Sequence, residues 1–95
     1  MDKRTKYVEE LSAQMVEWDV QIDLLRDRAA SASSELQFEY SSAIAALKLK
    51  RDEAAIKLQG ISVASDDEWG DIKAGTDQVW EEVGTMLHAA IMKIK

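Results

Sequence analysis

Apolar residues recur through the first third of the chain at alternating spacings of three and four: Val8, Leu11, Met15, Trp18, Ile22, Leu25, Ala29, Ala32 and Leu36. This is a heptad seam held for about four heptads, the pattern of a helix packed along its length against partner helices. The next seam position holds Glu39, so the apolar line steps to Tyr40, Ile44 and Leu47 and resumes at Ala54, Leu58 and Ile61. Two successive steps of four form a stutter, which locally unwinds a supercoil without ending the helix. Arg51 lies on the same line, where its head snorkels outward or meets a carboxylate such as Glu39 on a neighbouring helix.

The segment "LQGISVASDDEW" carries the firmest boundary signal. Gly60 suits a left-handed C-terminal cap, and Ser65 with Glu68 three residues on forms a capping box for the next helix. That last helix is expected over residues 66–94, with a stripe through Trp69, Ile72, Thr76, Val79 or Trp80, Val83, Leu87, Ala90 or Ile91, and Ile94. Gly70, Gly75 and Gly84 weaken it by roughly 1 kcal/mol each relative to Ala.

A second boundary is in question at "RDRAASASSELQFEY". Ser34 with Gln37 also fits a capping box, and a turn there gives a spectrin-like three-helix bundle broken near residues 31–34. Against it, no Gly or Pro interrupts the segment, and Ala29 and Ala32 hold the seam in phase across it. The pattern therefore favours an all-α, long-helix coiled-coil hairpin: one helix over residues 2–59, about 85 Å long, and a returning helix over 66–94 spanning ~43 Å. The shorter helix cannot cover the strip formed by Val8, Leu11, Met15, Trp18, Ile22 and Leu25. Such a strip needs a second copy, so these residues are candidates for self-association in a homodimer or higher oligomer. Tyr40, Ile44, Leu47, Leu58, Trp69, Ile72, Trp80, Val83 and Leu87 are candidates for packing the hairpin.

Composition narrows the function classes. At 95 residues the chain is one helical coiled-coil domain, with no Pro, four Gly and 32% charged residues. No Cys is present, so disulfides and thiolate metal sites are excluded. The start "MDKRTKYVEEL" has no apolar run behind it and is not a secretory signal, and the longest apolar run, "AIAAL", is far short of the ~20 residues that span a bilayer. A cytoplasmic location is the expectation. A net charge of −6 disfavours nucleic acid, whose phosphates demand a basic face. The acids concentrate late, Lys73, Lys93 and Lys95 standing against Asp66, Asp67, Glu68, Asp71, Asp77, Glu81 and Glu82. The run "SDDEWGD" reads as a solvated helix start whose carboxylates meet the positive end of the dipole. Pairs such as Asp2/Lys6 and Glu53/Lys57 support the helices by a few tenths of a kcal/mol.

Candidate chemistry is sparse. The chain has one His, His88, and no Glu lies three residues before it, so the Glu-x-x-His signature of helical di-metal sites is missing. No phosphate-binding Gly loop is present, and a narrow helical assembly has no evident pocket for a catalytic triad. The expectation is a non-enzymatic protein without cofactor or metal. Trp18, Trp69 and Trp80 read as core or interface anchors, and Met15, Met86 and Met92 as gap fillers.

Three stretches, "YVEELSAQMVEWDVQIDLL", "YSSAIAALKLKRDEAAIKL" and "DEWGDIKAGTDQVWEEV", resemble a family of short bacterial coiled-coil proteins loosely associated with stress response. The likeness covers residues 7–83, and its most specific part is Trp69-x-x-Ile72-Lys73-Ala74-Gly75 followed by Trp80. Gly84 and the tail "IMKIK" depart from the aromatic-bearing ends of that family. The resemblance implies a bacterial origin, helical coiled-coil structure and no established activity. The expected function is structural or interactive, through helix–helix self-association. The alternative is binding of the amphipathic last helix to a lipid or hydrophobic-granule surface, which its acidic polar face disfavours.

Overall fold

The computed structural model describes residues 3–94. The all-α expectation holds: three helices, α1 (Lys3–Ala30), α2 (Ser34–Val63) and α3 (Trp69–Lys93), share one apolar core. The single helix over 2–59 does not form. The chain reverses at residues 31–33, and its longest dimension is 51 Å, well short of the unbroken rod. The alternative, a three-helix bundle broken near 31–34, is the architecture found. Asp2, the expected helix start and the partner of Lys6, lies outside the described residues, as does Lys95.

The reversal needs neither Gly nor Pro. Tight bonds from Ser31 N–H to the Arg28 carbonyl (3.2 Å) and from Ala32 N–H to the Ala29 carbonyl (3.1 Å) finish α1. Ser33 then takes an extended conformation, φ −64° and ψ 160°, open to any residue, and its carbonyl accepts the Gln37 N–H at 2.8 Å to start α2. Ser33 rather than Ser34 is the N-cap, and its side chain makes no capping bond. Gln37 acts differently from a capping-box glutamine. Its side-chain amide reaches back across the turn and donates to the carbonyls of Ala30 (3.0 Å) and Ala32 (2.9 Å), two acceptors that the end of α1 leaves open. The seam phase does not carry across the turn: Leu36, in register with the α1 seam, is 41% exposed, and the core line restarts at Tyr40 and Ile44.

At the second boundary α2 continues past Gly60 to Val63, and no glycine adopts a positive φ. The extra turn buries Ile61 completely, which outweighs the roughly 1 kcal/mol that a helical Gly costs. The expected Ser65–Glu68 capping box is also absent. Residues 66–68 form a turn in which the Ser65 carbonyl accepts the N–H groups of Glu68 and Trp69, both at 3.1 Å, and α3 begins at Trp69 instead of Asp66.

The bundle runs up, down and up. Tyr7 meets Trp69 (ring centres 6.2 Å) and Trp18 meets Trp80 (4.8 Å), pairs with the same sequence separation, so α1 and α3 are parallel and in register. Lys50–Glu82 at 3.3 Å and Lys93–Glu39 at 2.9 Å run α2 antiparallel to α3. On α2, Glu53 pairs with Lys50 at 3.1 Å, not with Lys57.

Candidate functional site

The strip expected to need a second copy is covered within one chain. Leu11, Trp18, Ile22 and Leu25 are buried, and Val8 and Met15 are half-buried against the same core. One chain shelters it because α2 folds back on α1 along its length and α3 closes over both, each helix being about 40 Å long. Of the hairpin set, Ile44, Leu47, Leu58, Trp80, Val83 and Leu87 are buried in the same core and Tyr40 packs against it, while Trp69 and Ile72 are half-buried beside it. The apolar stripe of α3 faces inward with them.

Polar clamps hold the helices in register. At the end where α1 and α3 begin, the Tyr7 hydroxyl donates to the Asp77 carboxylate, which also accepts from Lys73 Nζ at 2.9 Å. Lys73 Nζ lies 5.0 Å from the Tyr7 ring centre, within cation–π range. Burial and then the hydrogen bond to Asp77 push the Tyr7 phenol well above its ordinary value of 10.0. At Asp77 burial acts upward, but the hydrogen bonds from Tyr7 and Lys73 and the lysine charge outweigh it, so the carboxyl sits below its ordinary range. Arg4 donates to the Ala64 carbonyl and to Asp66 (3.1 Å), tying the start of α1 to the loop after α2.

The feature that the first seam concealed is a second one, on the opposite face of α2. Leu49, Ile56 and Val63 repeat every seven residues and are 72%, 70% and 78% exposed; Phe38, on the same face, is 80% exposed. Ala45, Asp52 and Gln59 fill the alternate positions of this outer line. In the sequence it is a heptad repeat, masked by the stronger inner line through Ile44, Leu47, Ala54, Leu58 and Ile61. Helix α1 has a shorter outer stripe, Val16, Val20 and Leu24, one helical turn apart. Beside the α2 line, Ala46, Leu49, Lys50, Glu53, Glu82 and Met86 line a surface groove of about 630 Å³ towards α3.

His88 is exposed on α3, and among the described residues no three His, Cys, Asp or Glu side chains come together as a metal site. The Trp80 indole N–H is buried with no hydrogen-bond partner among the described residues, beside the tilted ring of Trp18. No described helix is long and apolar enough to cross a membrane. What fold and surface define is a small three-helix bundle with a spare heptad face. No family of known sequence pattern matches the chain, and neither a curated protein nor a solved structure matches it.

Proposed function

We propose that this is a non-enzymatic interaction protein that works by helix–helix self-association, with the outer face of α2 as its docking seam. One observation carries the reading: Phe38, Leu49, Ile56 and Val63 stand exposed along one face of a single helix, at coiled-coil spacing. Isolated apolar residues on a surface need no explanation, whereas a line of them about 37 Å long is the footprint of a helical partner. The resemblance of residues 7–83 to bacterial coiled-coil proteins extends the proposal to a bacterial, stress-related setting.

Light scattering tests it. The wild-type chain is expected at about twice its 10.6 kDa mass, and the double variant Leu49→Glu, Ile56→Glu at the single-chain mass with its helical circular dichroism intact. A wild-type mass of one chain at every concentration overturns the proposal.

A further inference from the structure

Building on that self-association, we infer its polarity and register: the outer face of α2 seats the same face of a second copy antiparallel, on a two-fold axis lying between Leu49 and Asp52. In this register Phe38 packs on Val63 of the second copy, Ala45 on Ile56 and Leu49 on Asp52. Each large side chain meets a smaller one, so the layers have similar volume. A parallel pair would stack Phe38 on Phe38 and Ala45 on Ala45, alternating a bulge with a gap.

Charge decides the same way. Parallel pairing sets Asp52 against Asp52 within an apolar seam, where like charges are unfavourable. Antiparallel pairing sets each Asp52, which Arg51 of its own chain reaches at 3.3 Å, beside Lys48 of the second copy. Lys48 is exposed on the flank of the seam and makes no ion pair among the described residues. The acids of the opposite flank are already matched within the chain, Glu39 by Lys93 at 2.9 Å and Glu53 by Lys50 at 3.1 Å. The outer stripe of α1 lacks this balance, since Glu17 and Asp27 border it without an ion pair among the described residues, whereas Asp23 is matched by Arg26 at 4.0 Å.

The area is adequate. Phe38, Leu49, Ile56 and Val63 together expose roughly 500 Å², the scale of a functional patch on a monomer. With the flanking Lys48, Ala45 and Gln59 the face approaches the ~800 Å² that each partner gives to a standard interface. The contact is isologous and closes on itself, which gives a dimer and not a filament.

The chain has no Cys, so engineered thiols report polarity directly. Chains carrying Phe38→Cys are mixed with chains carrying Val63→Cys and treated with a short bismaleimide. The expected product is the mixed crosslink, with none between two Val63→Cys chains, whose thiols stand about 37 Å apart in the antiparallel pair. Efficient crosslinking of Val63→Cys to itself, or a dimer that gives no mixed product, overturns the register and leaves self-association standing. A monomeric wild-type chain overturns both.

A charge exchange tests the pairing without touching the apolar residues. Lys48→Asp is expected to raise the dimer dissociation constant about three- to tenfold. Chains carrying Lys48→Asp mixed with chains carrying Asp52→Lys are expected to form the mixed dimer in preference to either like pair, since only the mixed pair sets opposite charges across the seam. A mixture that shows no such preference overturns the assignment.

Discussion

Arg51 of α2 grips Asp19 of α1 with two prongs, Nε to Oδ1 at 2.8 Å and Nη2 to Oδ2 at 2.9 Å. The same guanidinium reaches Asp52 at 3.3 Å. The hydrogen bonds to Asp19, more than its charge, hold the guanidinium pKa above its ordinary value although burial opposes them. Arg51 occupies a core-line position, so its stem lies along apolar surface while its head sits at the edge of the α1–α2 interface. The neighbouring-helix carboxylate is therefore Asp19. Glu39, the expected partner, is taken by Lys93 on α3.

Asp19→Ala is expected to destabilise the bundle by about 1 kcal/mol, since the pair is two-pronged but partly open to water. Arg51→Leu is expected to cost less, because an apolar side chain suits the core line it would join. Urea unfolding of both single variants and the double variant checks the order and gives the coupling directly.

Trp18→Ala has the largest expected effect. Trp18 is 8% exposed and lies 4.8 Å from the ring centre of Trp80, joining α1 to α3. Its removal should cost about 3–5 kcal/mol, a large share of the roughly 5–14 kcal/mol available to a chain of this length. A steep fall in thermal midpoint and loss of near-ultraviolet dichroism are the expected readouts, with Trp18→Phe intermediate.

The Tyr7–Asp77 clamp makes stability fall at both ends of the pH scale. The raised Tyr7 pKa gives a contribution that is complete below pH 10.0 and is lost as pH climbs above it. The lowered Asp77 pKa gives one that is complete above the ordinary value of 3.8 and is lost as pH falls through the folded value. Tyr7→Phe should remove a late phase from the phenolate absorbance titration and flatten the alkaline loss of stability. A titration unchanged by the substitution would contradict the clamp.

Gln37→Ala should loosen the α1–α2 turn. Both amide bonds to Ala30 and Ala32 would go, leaving carbonyls near the surface to water, at a cost of about 1 kcal/mol. Faster hydrogen exchange confined to the end of α1 and the start of α2 is the accompanying signature.

Gly84→Ala should stabilise the protein by about 0.5–1 kcal/mol. Gly84 lies inside α3 with a negative φ, and an added Cβ meets nothing within 4 Å. The thermal midpoint should rise by several degrees.

The two connections show where sequence reasoning stops. Gly60 and the Ser65–Glu68 pair correctly signalled a boundary, but the helix end moved from the glycine to Val63, because burying Ile61 was worth more than an early stop. At Ser31–Ser33 the absence of Gly and Pro suggests continuity, whereas an extended Ser33 and a back-reaching Gln37 amide close the turn without either. The outer α2 line was legible as a repeat. Its exposure was not, since periodicity gives two faces and only packing chooses which one points inward.

By itself the sequence determined that the chain is helical and that Trp18, Ile22, Leu25, Leu47, Val83 and Leu87 lie on packing faces, because 3.6-residue periodicity and the burial of apolar side chains are local properties of a helix. Only the tertiary structure decided what covers them. A seam states that a helix must be partnered, and the same pattern is satisfied by another chain or by the next helix of its own. Three residues of turn brought α2 back along α1, which sheltered the first seam within the chain and left Phe38, Leu49, Ile56 and Val63 facing out.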